Sequence, residues 1–299
     1  MSMPANRFWR SLLSVPAINR RALEKAKSLA ADAIIYDLED AVAPDRKAEA
    51  RENLIRLYAD DRPAGITAIR INPLDTADGR ADMEAAIACR PDAVVLPKVG
   101  TIGHVSTAVS RLEQDAAAGD MKLWAMIETA EGVVNAAAIA GAFSSARAGG
   151  RLEALIVGVN DLRSETGVAP AAGRIYLVPW LMQTVLAARA GGIQVIDGVY
   201  NDFADSEGYA AECAEGAAMG FDGKMLIHPN QIAPANHHFG PSDAALAEAR
   251  AIVAAFSAPG AERLNVVNLN GRMVERLHLE QAEALLLKFA TLQTKEKDT

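Results

Sequence analysis

The feature that most constrains this chain is an alternation repeated eight times across residues 10–229. Short apolar runs are each followed by a longer stretch rich in Ala, Leu, Glu, Lys and Arg. The runs are 10–16 (RSLLSVP), 33–40 (AIIYDLED), 66–72 (ITAIRIN), 93–99 (AVVLPKV), 122–129 (KLWAMIET), 152–161 (LEALIVGVND), 194–200 (QVIDGVY) and 223–229 (GKMLIHP). Segments such as 20–30, 45–59 and 204–219 have helix-forming composition. The runs are almost continuously apolar, as expected of parallel strands buried on both faces beneath helices. Eight such βα units match a closed (β/α)8 TIM barrel, typically about 250 residues long. A doubly wound open sheet is the competing architecture. The first run is not followed by GxGxxG, which removes the usual reason to prefer it.

The tail reads differently. Residues 242–255 suggest one more surface helix. In 265–277 (NVVNLNGRMVERL), apolar pairs flank Asn270-Gly271, a strong hairpin signal. Ala282, Leu285, Leu286, Phe289 and Leu292 then recur at helical spacing. With a hinge at 257–262 (SAPGAE), the expected division is a barrel over 7–256 and a C-terminal hairpin-plus-helix appendage over 257–299. So small an appendage is expected to pack over the barrel or against a neighbouring subunit. The chain ends in a charged TKEKDT.

A net charge of −8 with no clustered Lys or Arg argues against a nucleic-acid partner. No apolar run reaches 18 residues and 1–13 hold no long apolar stretch, so neither a membrane span nor a secretory leader is expected. Cys89 and Cys213 form no CxxC pair and fit a reducing, cytoplasmic setting.

Chemistry concentrates at the ends of the runs. The second ends in Asp37, Glu39 and Asp40, the third in Arg70 and Asn72, and the fourth in Lys98. Glu128 closes the fifth, Asn160 and Asp161 the sixth, Asp197 the seventh and His228 the eighth. Barrel enzymes draw catalytic groups from the C-terminal strand ends. Glu128 and Asp161, on adjacent strands, can offer hard oxygen ligands to one Mg2+. Arg70 suits a substrate carboxylate or a developing oxyanion, with Glu39 and Asp40 orienting it or metal-bound waters. Plainer roles compete: Asp37 and Asp40 as caps of the helix after Pro44, Lys98 as a solvated loop lysine, Asp197 as a loop or capping aspartate, His228 as a packed ring. His104, His237, His238 and His278 have no metal-cluster spacing.

Taken in order, RSLLSVP, DLEDAV, IRIN, LPK, MIET, GVNDL, IDGVYNDFAD and GKMLIHPNQI resemble the citrate lyase β-subunit-like family. It belongs to the HpcH/HpaI aldolase superfamily, with malyl-CoA and citramalyl-CoA lyases. The resemblance spans roughly 7–256 and implies an oligomeric, often trimeric or hexameric, TIM barrel. It further implies a Mg2+-dependent enzyme that cleaves or forms carbon–carbon bonds. The implied metal ligands are Glu128 and Asp161, and the implied substrate-binding, enolate-stabilising residue is Arg70. Glu39 and Asp40 form the implied acidic pair, with Glu128 and Lys98 beside the substrate.

Two departures stand out. The implied tail base is an Asp in a G-x-M-V-D-x-P motif, but the chain has Gly271-Arg272-Met273-Val274-Glu275-Arg276-Leu277, so Glu275 stands in its place. Residues 172–185 (AGRIYLVPWLMQTV) lack a Y-A-R-like run present in many relatives near the acyl-CoA region. Arg7, Arg10, Arg20 and Arg21 offer local positive charge for a polyanionic CoA. The expected activity is a Mg2+-dependent lyase on a 3-hydroxyacyl-CoA such as malyl-CoA or citramalyl-CoA. The alternatives are a CoA-independent aldolase on a 2-oxo or hydroxy acid, and a citrate lyase β-type subunit working within a complex.

Overall fold

Eight parallel strands close on themselves in sequence order. They are β1 (Ser11–Pro16), β2 (Ala33–Asp37), β3 (Ile66–Arg70), β4 (Ala93–Leu96), β5 (Lys122–Ile127), β6 (Leu152–Val157), β7 (Gln194–Asp197) and β8 (Gly223–Leu226). The computed structural model describes residues 8–146, 150–170, 174–261 and 264–297, without the side chains of 294–297. The crossovers carry α1 (Arg20–Ala26), α2 (Lys47–Asp60), α3 (Ala77–Cys89), α4 (Ile102–Glu113), α5 (Ala130–Ala142), α6 (Val159–Thr166), α7 (Val178–Gly191) and α8 (Ser206–Met219). A ninth helix, α9 (Ile232–His238), follows β8. This is the expected TIM barrel.

Strand parity divides the core in two. Leu12, Ile35, Ala68, Val95, Trp124, Met126, Ile156, Ile196 and Met225 fill the lumen with Trp9. Their neighbours, among them Leu13, Ile34, Ile69, Val94, Leu155 and Val195, meet the helices. Burial on both faces is why the strands read as unbroken apolar runs. Trp9 and Trp124 plug the lumen with ring centroids 4.7 Å apart. At roughly 200 Å² buried per indole and about 25 cal/mol/Å², each contributes on the order of 5 kcal/mol.

The chain forms two compact units that divide between Phe239 and Gly240. The second contains α10 (Asp243–Phe256), β9 (Val266–Leu269), β10 (Arg272–Glu275) and α11 (Arg276–Lys297). β9 and β10 pair antiparallel across Asn270 and Gly271, with φ of 51° and 82°, the left-handed geometry that a two-residue hairpin turn requires. Phe256, Val267, Val274 and Leu279 form its small core. α10 groups with the second unit because Phe256 packs with the hairpin and with Leu279 of α11.

Candidate active site at the C-terminal mouth of the barrel

Parity places three functional side chains in the layer above the lumen core. Ile35 and then Asp37 point inward on β2, and Ala68 and then Arg70 on β3. On β5 the inward series Trp124, Met126 continues to Glu128. The register pairs Asp37 with Arg70. Arg70 Nε donates to Asp37 Oδ1 at 2.8 Å and Nη2 donates to Asp37 Oδ2. Such a fork fixes the guanidinium plane and leaves Nη1 toward the site. Arg70 Nη1 lies 3.2 Å from Glu39 Oε2. Burial opposes the arginine's charge, but Asp37, Glu39 and Glu128 together outweigh it and hold the guanidinium protonated.

Glu128 is 1 % exposed. Its Oε1 accepts the backbone N–H of Lys98 at 2.7 Å, and Lys98 itself has the left-handed φ of 52°. The Lys98 ammonium donates to Glu39 Oε1 at 2.6 Å and stands 3.8 Å from Asp40 Oδ1. Burial pushes the Glu128 carboxyl up to about 8, and the charges of Glu39 and Asp161 add to the effect. Burial also raises Glu39, with Arg70 and Lys98 opposing.

Asp37, Asp40, Arg70, Glu128 and Asp161 share one cavity of about 390 Å³. Ser14, Met126, Val157, Met225 and Ile227 supply part of its remaining wall. A second hollow, of about 400 Å³, is lined by Leu74, Leu96, Lys98 and His104 but by none of those carboxylates.

The donor set fits a divalent cation. Glu128 and Asp161 are hard oxygen ligands whose mutual repulsion a cation would relieve, and Mg2+ accepts one or two carboxylates while keeping waters. Among the described residues no group of three or more His, Cys, Asp or Glu is arranged to hold a metal. Water and substrate would therefore complete the shell.

The model of the HpcH/HpaI aldolase/citrate lyase family matches residues 10–229. The chain belongs to that family. It is 43 % identical over 281 residues to a (3S)-malyl-CoA thioesterase of Cereibacter sphaeroides, with 94 % of each chain covered. It is 35 % identical over 307 residues to the L-malyl-CoA/beta-methylmalyl-CoA lyase of Rhodobacter capsulatus, again with 94 % of each covered. Among solved structures, the CitE protein of Mycobacterium tuberculosis in complex with magnesium, acetoacetate and coenzyme A superposes with a TM-score of 0.74. That pair is 31 % identical and covers 95 % of this chain and 99 % of the other.

Within this family member the expected residues are not all alike. Arg70, Glu128, Asp161, Glu39, Asp40 and Lys98 converge on one mouth. Asp161 lies in the first turn of α6 rather than on β6, which ends at Val157. Asp40 has a half-exposed side chain. The partner that orients Arg70 is chiefly Asp37, not Glu39 or Asp40. The Lys98 ammonium is engaged by Glu39. Asp197, next to inward-facing Ile196, points out of the lumen and is buried between Lys224 and Arg174 at 2.9 and 2.7 Å. His228 caps the turn after it, its Nδ1 accepting the Asn230 N–H at 3.2 Å, and stacks on Phe203. Glu275 belongs to the second unit, exposed at the end of β10, where its N–H donates to His278 Nδ1 at 3.0 Å. Arg7 and 171–173 lie outside the described residues. No described helix is long and apolar enough to cross a membrane.

Proposed function

We propose that this chain is a Mg2+-dependent carbon–carbon lyase acting on a 3-hydroxyacyl-CoA of malyl or citramalyl type. The observation that carries this reading is the Asp37-locked Arg70 facing the same cavity as Glu128 and Asp161. The chain also matches malyl-CoA enzymes over nearly their whole length.

In this reading Glu128 and Asp161 hold the cation. When bound, Mg2+ polarises the hydroxyl and carboxylate oxygens of the substrate and makes its alkoxide easier to form. Arg70, held rigid by Asp37, faces the thioester oxygen on which negative charge gathers as the carbon–carbon bond breaks. Glu39 lies beside Arg70, and Asp40 lines the cavity that a bound cation would share. Lys98 ties Glu39 to Glu128 from the side. Glu275 is the proposed base that removes the hydroxyl proton. The bonding pair leaves as a thioester enolate, the hydroxyl carbon becomes the carbonyl of a 2-oxo acid, and protonation of the enolate completes an acetyl-type thioester.

Homo-oligomerisation, as a trimer or hexamer, is supported by large apolar side chains exposed on α5 and α7, including Val134 and Leu186 at 76 % and 71 %. Two free, buried cysteines fit a cytoplasmic location.

A second reading is favoured by the 43 % identity to proteins named thioesterases. The same Arg70 would then polarise the thioester carbonyl toward water rather than stabilise an enolate. One assay separates the two: purified protein with MgCl2 and malyl-CoA, analysed for every product. Glyoxylate with acetyl-CoA supports the lyase, and malate with free CoA supports the thioesterase. Release of a 2-oxo acid only from free hydroxy acids would replace both with a CoA-independent aldolase.

A further inference from the structure

We infer that Lys47 is a positioning residue for this site, holding the acidic loop after β2 so that the Glu39 carboxylate meets Lys98 and Arg70; this rests on the proposed function above. Lys47, the first residue of α2, is only 7 % exposed. Among the described residues no carboxylate pairs with its ammonium. Burying an ammonium is expensive unless its donors are all satisfied. Here three neutral acceptors satisfy them: the Leu38 carbonyl at 2.8 Å, the Glu39 carbonyl at 2.7 Å and Asn72 Oδ1 at 2.9 Å.

Two of these acceptors are consecutive carbonyls of the acidic loop and the third stands at the end of β3. The ammonium therefore fastens the loop to the strand end that carries Arg70. The surrounding bonds act in the same sense. Leu38 N–H donates to the Arg70 carbonyl at 2.9 Å and Glu39 N–H to Asp37 Oδ1 at 2.8 Å. Asn72 Nδ2 donates to the Leu38 carbonyl at 2.9 Å and to Asp82 Oδ2 at 2.6 Å, and Asp82 is in turn held by Arg51 at 2.8 Å. With its carbonyl turned to Lys47, Glu39 presents its side chain to Lys98 Nζ at 2.6 Å and Arg70 Nη1 at 3.2 Å. Lys47 also sets a fixed positive charge behind a loop whose carboxylates crowd one mouth. A hydrophobic anchor of the same length would supply neither the three donors nor the charge.

The test is a double-mutant cycle on malyl-CoA turnover with Lys47→Met, Glu39→Gln and the pair, beside wild type in MgCl2. Lys47→Met should lower kcat by about 10–100-fold, the range expected for an error of order 1 Å in a catalytic constellation. Mg2+ affinity, measured by calorimetry, should stay within about twofold, since Glu128, just after β5, and Asp161, in α6, lie outside the loop that Lys47 holds. Lys47→Arg should recover part of the rate. The double variant should be no slower than Glu39→Gln alone; losses that multiply would mean Lys47 does not act through Glu39 and would overturn the inference. So would wild-type turnover in Lys47→Met. If that variant does not fold, Lys47→Gln, which keeps donors and removes the charge, carries the same readings. A crystal structure of either variant decides the matter without turnover. Glu39 displaced from Lys98 supports the inference, and Glu39 unmoved sinks it. Absence of turnover in wild type counts against the proposed function alone.

Discussion

Gly158 joins β6 to α6 beside the proposed metal ligands, and a methyl group there has nowhere to go. A Cβ built on it would lie 2.4 Å from both Glu128 Cβ and Glu128 Oε2. Non-bonded carbon contacts settle near 3.5–4.0 Å, so Gly158→Ala forces the Glu128 carboxylate to retreat by about 1 Å. Its φ of −102° lies outside the left-handed region that favours glycine, so it is the close approach of Glu128 that excludes a side chain. An error of order 1 Å at a catalytic group costs about 10²-fold in rate, equivalent to about 2.7 kcal/mol of barrier. Gly158→Ala should therefore lower kcat/KM on malyl-CoA about 100-fold and weaken Mg2+ binding by calorimetry, with a destabilisation of about 1–3 kcal/mol because Glu128 Cβ can yield only with its backbone. Wild-type turnover and Mg2+ affinity in this variant would refute the claim that Glu128, in its observed position, is a working ligand.

Other expectations follow from the same geometry. Arg70→Lys removes the fork to Asp37 and should lower kcat by about 10²–10³-fold in steady-state assays; a retained rate would free Arg70 of its assigned role. Glu275→Ala should lose on the order of 10²-fold in turnover with Mg2+ binding intact, and an unchanged rate would remove Glu275 from the mechanism. Lys224→Met strands the fully buried Asp197 with Arg174 alone and should destabilise the fold by about 3–5 kcal/mol in urea titration at pH 7. Burial alone would raise the Asp197 carboxyl, but Lys224 and Arg174 outweigh it and hold it below the ordinary carboxylate range. That stabilisation is complete above about pH 4 and lost as pH falls through the lower native value, so the deficit of Lys224→Met should shrink on acidification. A deficit independent of pH between 3 and 6 would contradict the assignment.

The barrel was legible because a parallel strand buried on both faces writes itself as an unbroken apolar run, eight times over. The same runs overshot at their ends. β6 stops at Val157, yet apolar character carries on through Val159 into α6, so Asp161 read as strand. The roles of Asp37 and Asp197 turn on parity, which the sequence holds but an all-apolar strand conceals. Asp37 shares the inward face with Ile35, whereas Asp197 follows inward-facing Ile196 and must point outward. Lys47 left no sequence signal, since a lysine at a helix start is ordinarily solvated and only the fold brings Leu38, Glu39 and Asn72 around it. The grouping of α10 with the second unit is hidden for a similar reason. The amphipathic pattern of α10 shows that it has a buried face but not that Phe256 packs with the hairpin.

The most direct test of the account is malyl-CoA turnover as a function of Mg2+ concentration, run on the wild type and on Glu128→Gln and Asp161→Asn after chelator treatment. We expect the wild type to be inactive without added metal and to recover with saturation. Each variant should need far more Mg2+ and reach a lower plateau. Full turnover in excess chelator, or wild-type Mg2+ dependence in both variants, would contradict a metal centre built on these two carboxylates.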